Sequence, residues 1–178
     1  MSKKIRHIVC AGVLAALYIT LTSLQNLIWP GSATMAIQFR FSEALAVFAF
    51  FTPAAIPGLA LGCMIFNLSW AQSLPLDFLL GSLATALSCI SMRLLRKVTL
   101  GKLPVLGLLM PALFNGLIVG WELTVFLTPE GFQWAIFGLN ALYVFIGEAV
   151  VLLTCGSILY KSLSHKGLAQ RLLGDAAG

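Results

Sequence analysis

Most of this chain cannot fold in water. From Ile8 to about Leu24 it runs without a charged residue, and five further apolar runs follow, separated by Pro, Gly or clustered basic residues. A bilayer crossing takes roughly 20 apolar residues, with every backbone polar group satisfied inside the segment. Charged residues make up 10% of the chain and hydrophobic ones 60%, and the mean hydropathy is +0.98. A soluble domain carries roughly a quarter charged residues. The expected fold class is therefore an all-α integral membrane protein, a single domain over residues 1–178 with six transmembrane helices.

The pattern places these helices at about 6–27, 39–52, 56–70, 76–92, 104–127 and 133–160. Breakers mark the joints: Pro30-Gly31, Pro53 with Pro57, Pro75, Gly101 with Pro104, and Pro129-Glu130-Gly131. The second run is short for a crossing and opens with Arg40 and Glu43, three residues apart and able to pair on one face. The N-terminal run resembles a secretory signal in its basic flank. It exceeds the usual apolar length of about 7–15 residues, so it reads as the first transmembrane helix.

The net charge of +5 is a topology signal, not a nucleic-acid footprint. With a cytoplasmic N-terminus, ten of the eleven basic residues fall on the cytoplasmic side: Lys3, Lys4, Arg6, then Arg93, Arg96, Lys97, Lys102, then Lys161, Lys166, Arg171. Arg40 is the exception. Both termini are then cytoplasmic, and Arg40, Glu43, Asn67, Asp77, Asn115, Glu122, Glu130 and Asn140 gather toward the outer half.

Ionisable residues inside a membrane are costly and mark functional sites by default. Asn115 and Glu122 are seven residues apart, two helical turns, and share a face of the fifth helix beside Trp121. Glu148 lies deep in the sixth. The competing readings are bland: Glu122 as a helix end meeting water, Asp77 as a first-turn carboxylate complementing the helix dipole, and the Trp residues as interfacial belts. Small residues also recur at helix-packing spacing: Ala11, Gly12 and Ala15, Gly58 with Gly62, and Gly116 with Gly120.

Enzyme signatures are missing. There is no phosphate-binding loop, no G-x-S-x-G and no H-E-x-x-H. The four Cys are scattered and form no C-x-x-C, and the two His have no metal-ligand partners at useful spacing. No cofactor or metal is expected. Carboxylates and amides among aromatic residues instead suit a flat, nitrogen-rich, cationic solute.

These features resemble a known class. Six short helices, Ala11-x-x-x-Ala15 and outward-clustered polar groups look like the substrate-binding S components of energy-coupling factor transporters. More specifically, Arg40-Phe-Ser-Glu43, the Pro53 to Gly62 turn, Asn67 and the Leu76-Asp77 to Thr85 stretch resemble the queuosine-precursor transporter family, over roughly residues 8–160. The resemblance implies a multi-pass protein of the bacterial cytoplasmic membrane that binds a 7-deazaguanine base, such as 7-aminomethyl-7-deazaguanine or queuine. It also implies docking through Ala11, Gly12 and Ala15 onto a module of one coupling membrane subunit and two ATPases. On that reading Glu122 and either Glu43 or Glu148 divide the guanine-like edge and the amine. Asn115, Asn140, Asp77 and Asn67 add hydrogen bonds, Arg40 orients Glu43, Trp121 or Trp29 stacks on the ring, and the 28–38 loop closes over it. Two alternatives stand beside it: an S component for another vitamin-like solute, and a small membrane enzyme or chaperone with an acidic pocket.

Overall fold

The computed structural model describes residues 2–32, 38–70 and 73–173, apart from the Lys166 side chain. It is helical throughout, with only an isolated Leu100–Leu103 bridge beside it. Helix α1 spans Lys3–Ile28, α2 Ala55–Ser69, α3 Asp77–Leu94, α4 Val105–Leu108, α5 Met110–Leu127, α6 Trp134–Val151, α7 Ser157–Ser164 and α8 Leu168–Leu173. Four stretches are long and apolar enough to cross a bilayer: Lys3–Ile28, Asp77–Lys97, Val105–Leu127 and Trp134–Ser164. Two apolar helices, Phe41–Phe50 and Ala55–Ser69, are shorter. Only four of the six expected spans are thus full crossings by length and composition.

The second run differs most from expectation. It is a 3-10 helix, Phe41–Phe50, rather than an α-helix over 39–52. Such helices rarely exceed three or four residues, because their hydrogen bonds are poorly aligned. Two consequences follow from the geometry. Ten residues at about 2 Å rise reach roughly 20 Å, where an α-helix would reach about 15 Å. Residues three apart also eclipse, so Arg40, Glu43, Ala46 and Ala49 form one buried row. This helix is the axis of the bundle: α1, α2, α3, α6 and α7 all pack on it, and nine of its residues are not exposed.

The remaining helices follow one another around that axis, α1 on α2, α2 on α3, α3 on α5 and α5 on α6. The expected fifth helix is interrupted at Leu109, because Pro111 has no N–H to continue the ladder from α4. The expected sixth is interrupted by a π turn, Leu152–Gly156, before α7. Outward-facing Ile8, Val13, Leu17, Leu79, Leu83, Leu139 and Ile146 are half or more exposed or nearly so, as lipid-facing side chains should be.

Small residues let the backbones touch. A Cβ on Gly58 would lie 2.6 Å from the Ala11 carbonyl oxygen, and one on Gly62 would lie 2.9 Å from that of Ala15. The two motifs seen separately in the sequence are therefore partners: Ala11 and Ala15 receive Gly58 and Gly62. A Cβ on Gly120 would sit 2.7 Å from the Ala141 Cα, so α5 and α6 meet there in the same way. Replacing Gly120 by Ala should cost about 1–3 kcal/mol of overpacking and lower the melting temperature in detergent. Gly138→Ala, whose Cβ meets nothing within 4 Å, should leave it unchanged; equal melting temperatures for the two variants would contradict this packing.

Candidate functional site

The bundle interior holds more charge than an apolar core tolerates. Arg40, Glu43, Asp77, Glu122 and Glu148 come from four different elements, yet all are less than a tenth exposed. Arg40 lies within electrostatic reach of each of the four carboxylates. They divide into two pairs by their mutual influence. Glu43 and Glu148 are neighbours in one, Asp77 and Glu122 in the other. No three of the described His, Cys, Asp and Glu groups converge as a metal site.

In the first group the Tyr18 hydroxyl donates to Glu43 Oε1 at 2.6 Å. The Asn115 amide donates to both oxygens of Glu148, each at 2.9 Å. That bond ties α5 to α6. In the second group the Asn67 amide donates to the Asp77 carbonyl oxygen at 2.9 Å, tying α2 to the start of α3. Gly81 makes room for this pair, since its Cβ would fall 2.9 Å from Asn67 Nδ2. Glu122 accepts no hydrogen bond at either oxygen, although the Leu76 amide at the start of α3 is near enough to act on its charge.

Among the described residues, the buried side-chain atoms without a partner include three that can donate, Asn26 Nδ2, Trp70 Nε1 and Ser73 Oγ; the others only accept. Both oxygens of Glu122, Glu43 Oε2, Asp77 Oδ1, Asn67 Oδ1 and Asn115 Oδ1 are buried without a partner. Buried polar atoms are almost always paired, and leaving one unpaired costs about 1–3 kcal/mol. Four of these six acceptors belong to carboxylates that Arg40 influences, so the interior carries unmet capacity for hydrogen-bond donors and positive charge.

The other residues singled out in the sequence fall elsewhere. Trp121 is 43% exposed on the outer face of α5, turned away from its neighbour Glu122. Trp29 is 56% exposed and stacks on Phe39 at a centroid distance of 6.0 Å. Asn140 is half-buried and donates to Thr124 at 3.0 Å, holding α6 to α5 beside Glu122. Of the 28–38 loop, residues 33–37 lie outside the described residues. Ala15 is buried against Gly62, Ala11 is half-buried, and Gly12 is open, with nothing within 4 Å of its Cβ position.

Sequence reasoning missed the polar face of α1. Tyr18, Thr22 and Gln25 are all buried and all bond toward the segment carrying Arg40 and Glu43. Thr22 bonds Ser42 at 2.7 Å, and the Gln25 side chain accepts from the Phe41 amide at 2.9 Å. Their spacing of four and three residues puts them on one stripe of an otherwise apolar helix. That spacing of polar residues in an apolar helix is the sequence signal for the stripe.

Long apolar helices closed around a charged, acceptor-rich interior define a multi-pass membrane protein. Comparison with known proteins fixes the family. Residues 8–165 match the family model described as QueT transporter, and the chain belongs to that family. It is a transporter and not an enzyme, which removes the acidic-pocket enzyme alternative. No curated protein and no solved structure gave a match.

Proposed function

We propose that this chain is the substrate-binding membrane subunit of an energy-coupling factor importer that takes up a queuosine precursor, a 7-deazaguanine base. The observation that carries this reading is the surplus of buried acceptors without donors. A guanine-like edge presents two adjacent N–H groups, which match the two oxygens of one carboxylate. An aminomethyl substituent adds a cation, which offsets part of the charge of four carboxylates sharing Arg40. Asn67 and Asn115 oxygens remain to accept further N–H donors.

On this reading the two shorter helices complete six passes, with both termini on the cytoplasmic side, which the placement of the basic residues favours. Partner docking uses the groove between α1 and α2. It encloses about 400 Å3 and is lined by Ala11, Gly12, Ala15, Ala54, Pro57 and Leu61, among others. Ala11 and Ala15 already pack against α2, so Gly12 is the open point of close approach. The helix of a coupling subunit fits such a small-residue surface.

Glu122→Gln replaces one acceptor by a donor facing the ligand's own N–H. Affinity for 7-aminomethyl-7-deazaguanine, measured by titration calorimetry in detergent, should fall by about tenfold or more, from a lost charged hydrogen bond of about 1.5–3 kcal/mol. Unchanged affinity would remove Glu122 from the site. Gly12→Trp should leave that affinity intact and abolish uptake by cells that contain the ATPase module; normal uptake would sink the docking assignment.

A further inference from the structure

The three glutamates of the site differ in how many oxygens they leave open. Glu122 leaves two, Glu43 leaves one and Glu148 leaves none. We infer that Tyr18 is a positioning residue that makes Glu43 a one-oxygen acceptor for an ammonium group, while Glu122 alone takes the paired N–H donors of the ring. The inference rests on the transport reading above and assigns the groups within its site.

Tyr18 is built to hold that position. It is 1% exposed. A Cβ added to Gly62 would lie 2.8 Å from the Tyr18 Cβ, so α2 packs closely on the base of this side chain. The next two turns of α1 are fastened to the same segment, Thr22 to Ser42 at 2.7 Å and Gln25 to the Phe41 amide at 2.9 Å. The register between α1 and the 3-10 helix is therefore fixed, and the phenol meets Glu43 at 2.6 Å on one oxygen only. Arg40, one eclipsed step earlier in the 3-10 helix, competes for the same carboxylate. Without the phenol, Glu43 turns toward that guanidinium and its open oxygen is lost to a ligand cation.

Recognition chemistry then sorts the groups. Two parallel N–H donors need both oxygens of one carboxylate, which Glu122 offers. An ammonium is a point charge with three donors in no fixed plane. It is satisfied by single oxygens, and Glu43 Oε2 and Asn115 Oδ1 are the unpartnered ones on the two residues that act on Glu148. Glu148 holds the Asn115 amide nitrogen with both its oxygens, and the Asn115 oxygen is left without a partner.

The test compares two bases that differ only in the amine: 7-aminomethyl-7-deazaguanine and 7-methyl-7-deazaguanine. Both are titrated into the purified full chain and into Tyr18→Phe and Glu43→Gln. Tyr18→Phe keeps the ring that packs on α2 and removes only the hydroxyl. The preference for the amine-bearing base, read as the ratio of the two dissociation constants, should fall about tenfold in both variants, as for loss of one charged hydrogen bond. Tyr18→Phe that leaves the preference unchanged, whether both affinities hold or both fall together, overturns the positioning role. Wild-type chain that binds neither base overturns the transport reading, and this inference with it.

Discussion

Four carboxylates and one guanidinium share the dry interior of a bundle whose outer surface faces lipid. A charge in such surroundings is tolerated only where a partner charge, hydrogen bonds or a ligand compensates it. The chain supplies one cation, Arg40, and then spends its other devices on the carboxylates one by one: a phenol on Glu43, an amide across Glu148, a helix start beside Asp77 and Glu122. The compensation is incomplete by design of the parts, because each device leaves at least one acceptor open somewhere. The site and the fold are thus the same object. Removing the acids would leave an ordinary apolar bundle with no reason for its central helix to start at Arg40.

That central helix explains how short elements reach the site. A 3-10 helix advances further per residue than an α-helix and stacks every third side chain. It brings Arg40 and Glu43 into one row and carries Ala46 and Ala49 below them, small enough for five other helices to close in. Glycines at 58, 62 and 120 then bring backbones into contact around it, where lipid offers no hydrophobic drive for association. The polar row sits deep because the packing around it is tight, and the packing can be tight because the row's apolar members are small.

Much of this was legible before the structure. Hydropathy and breakers gave the apolar segments within a few residues, and the fifth and sixth runs were found whole although Pro111 and a π turn divide them. The cost of burying charge singled out Glu43, Glu122, Glu148 and Asp77, and the structure gathers them around Arg40. Other features were not legible for physical reasons. Nothing in a ten-residue apolar run distinguishes a 3-10 from an α-helix, since that choice depends on the helices packed against it. Neighbouring residues on an α-helix project about 100° apart, so Trp121 is exposed while Glu122 is buried. The pairing of Ala11 and Ala15 with Gly58 and Gly62 joins two motifs far apart in the chain, and spacing alone could not say that they meet.

The central claim is that the buried acceptors are matched by a donor-rich cationic base. Native mass spectrometry of the full chain, purified from cells supplied with 7-aminomethyl-7-deazaguanine, tests it most directly. The account predicts one bound base per chain, retained in mild detergent and lost in the Glu122→Gln variant. A chain that carries no base, or one that retains it equally after Glu122→Gln, would contradict the account.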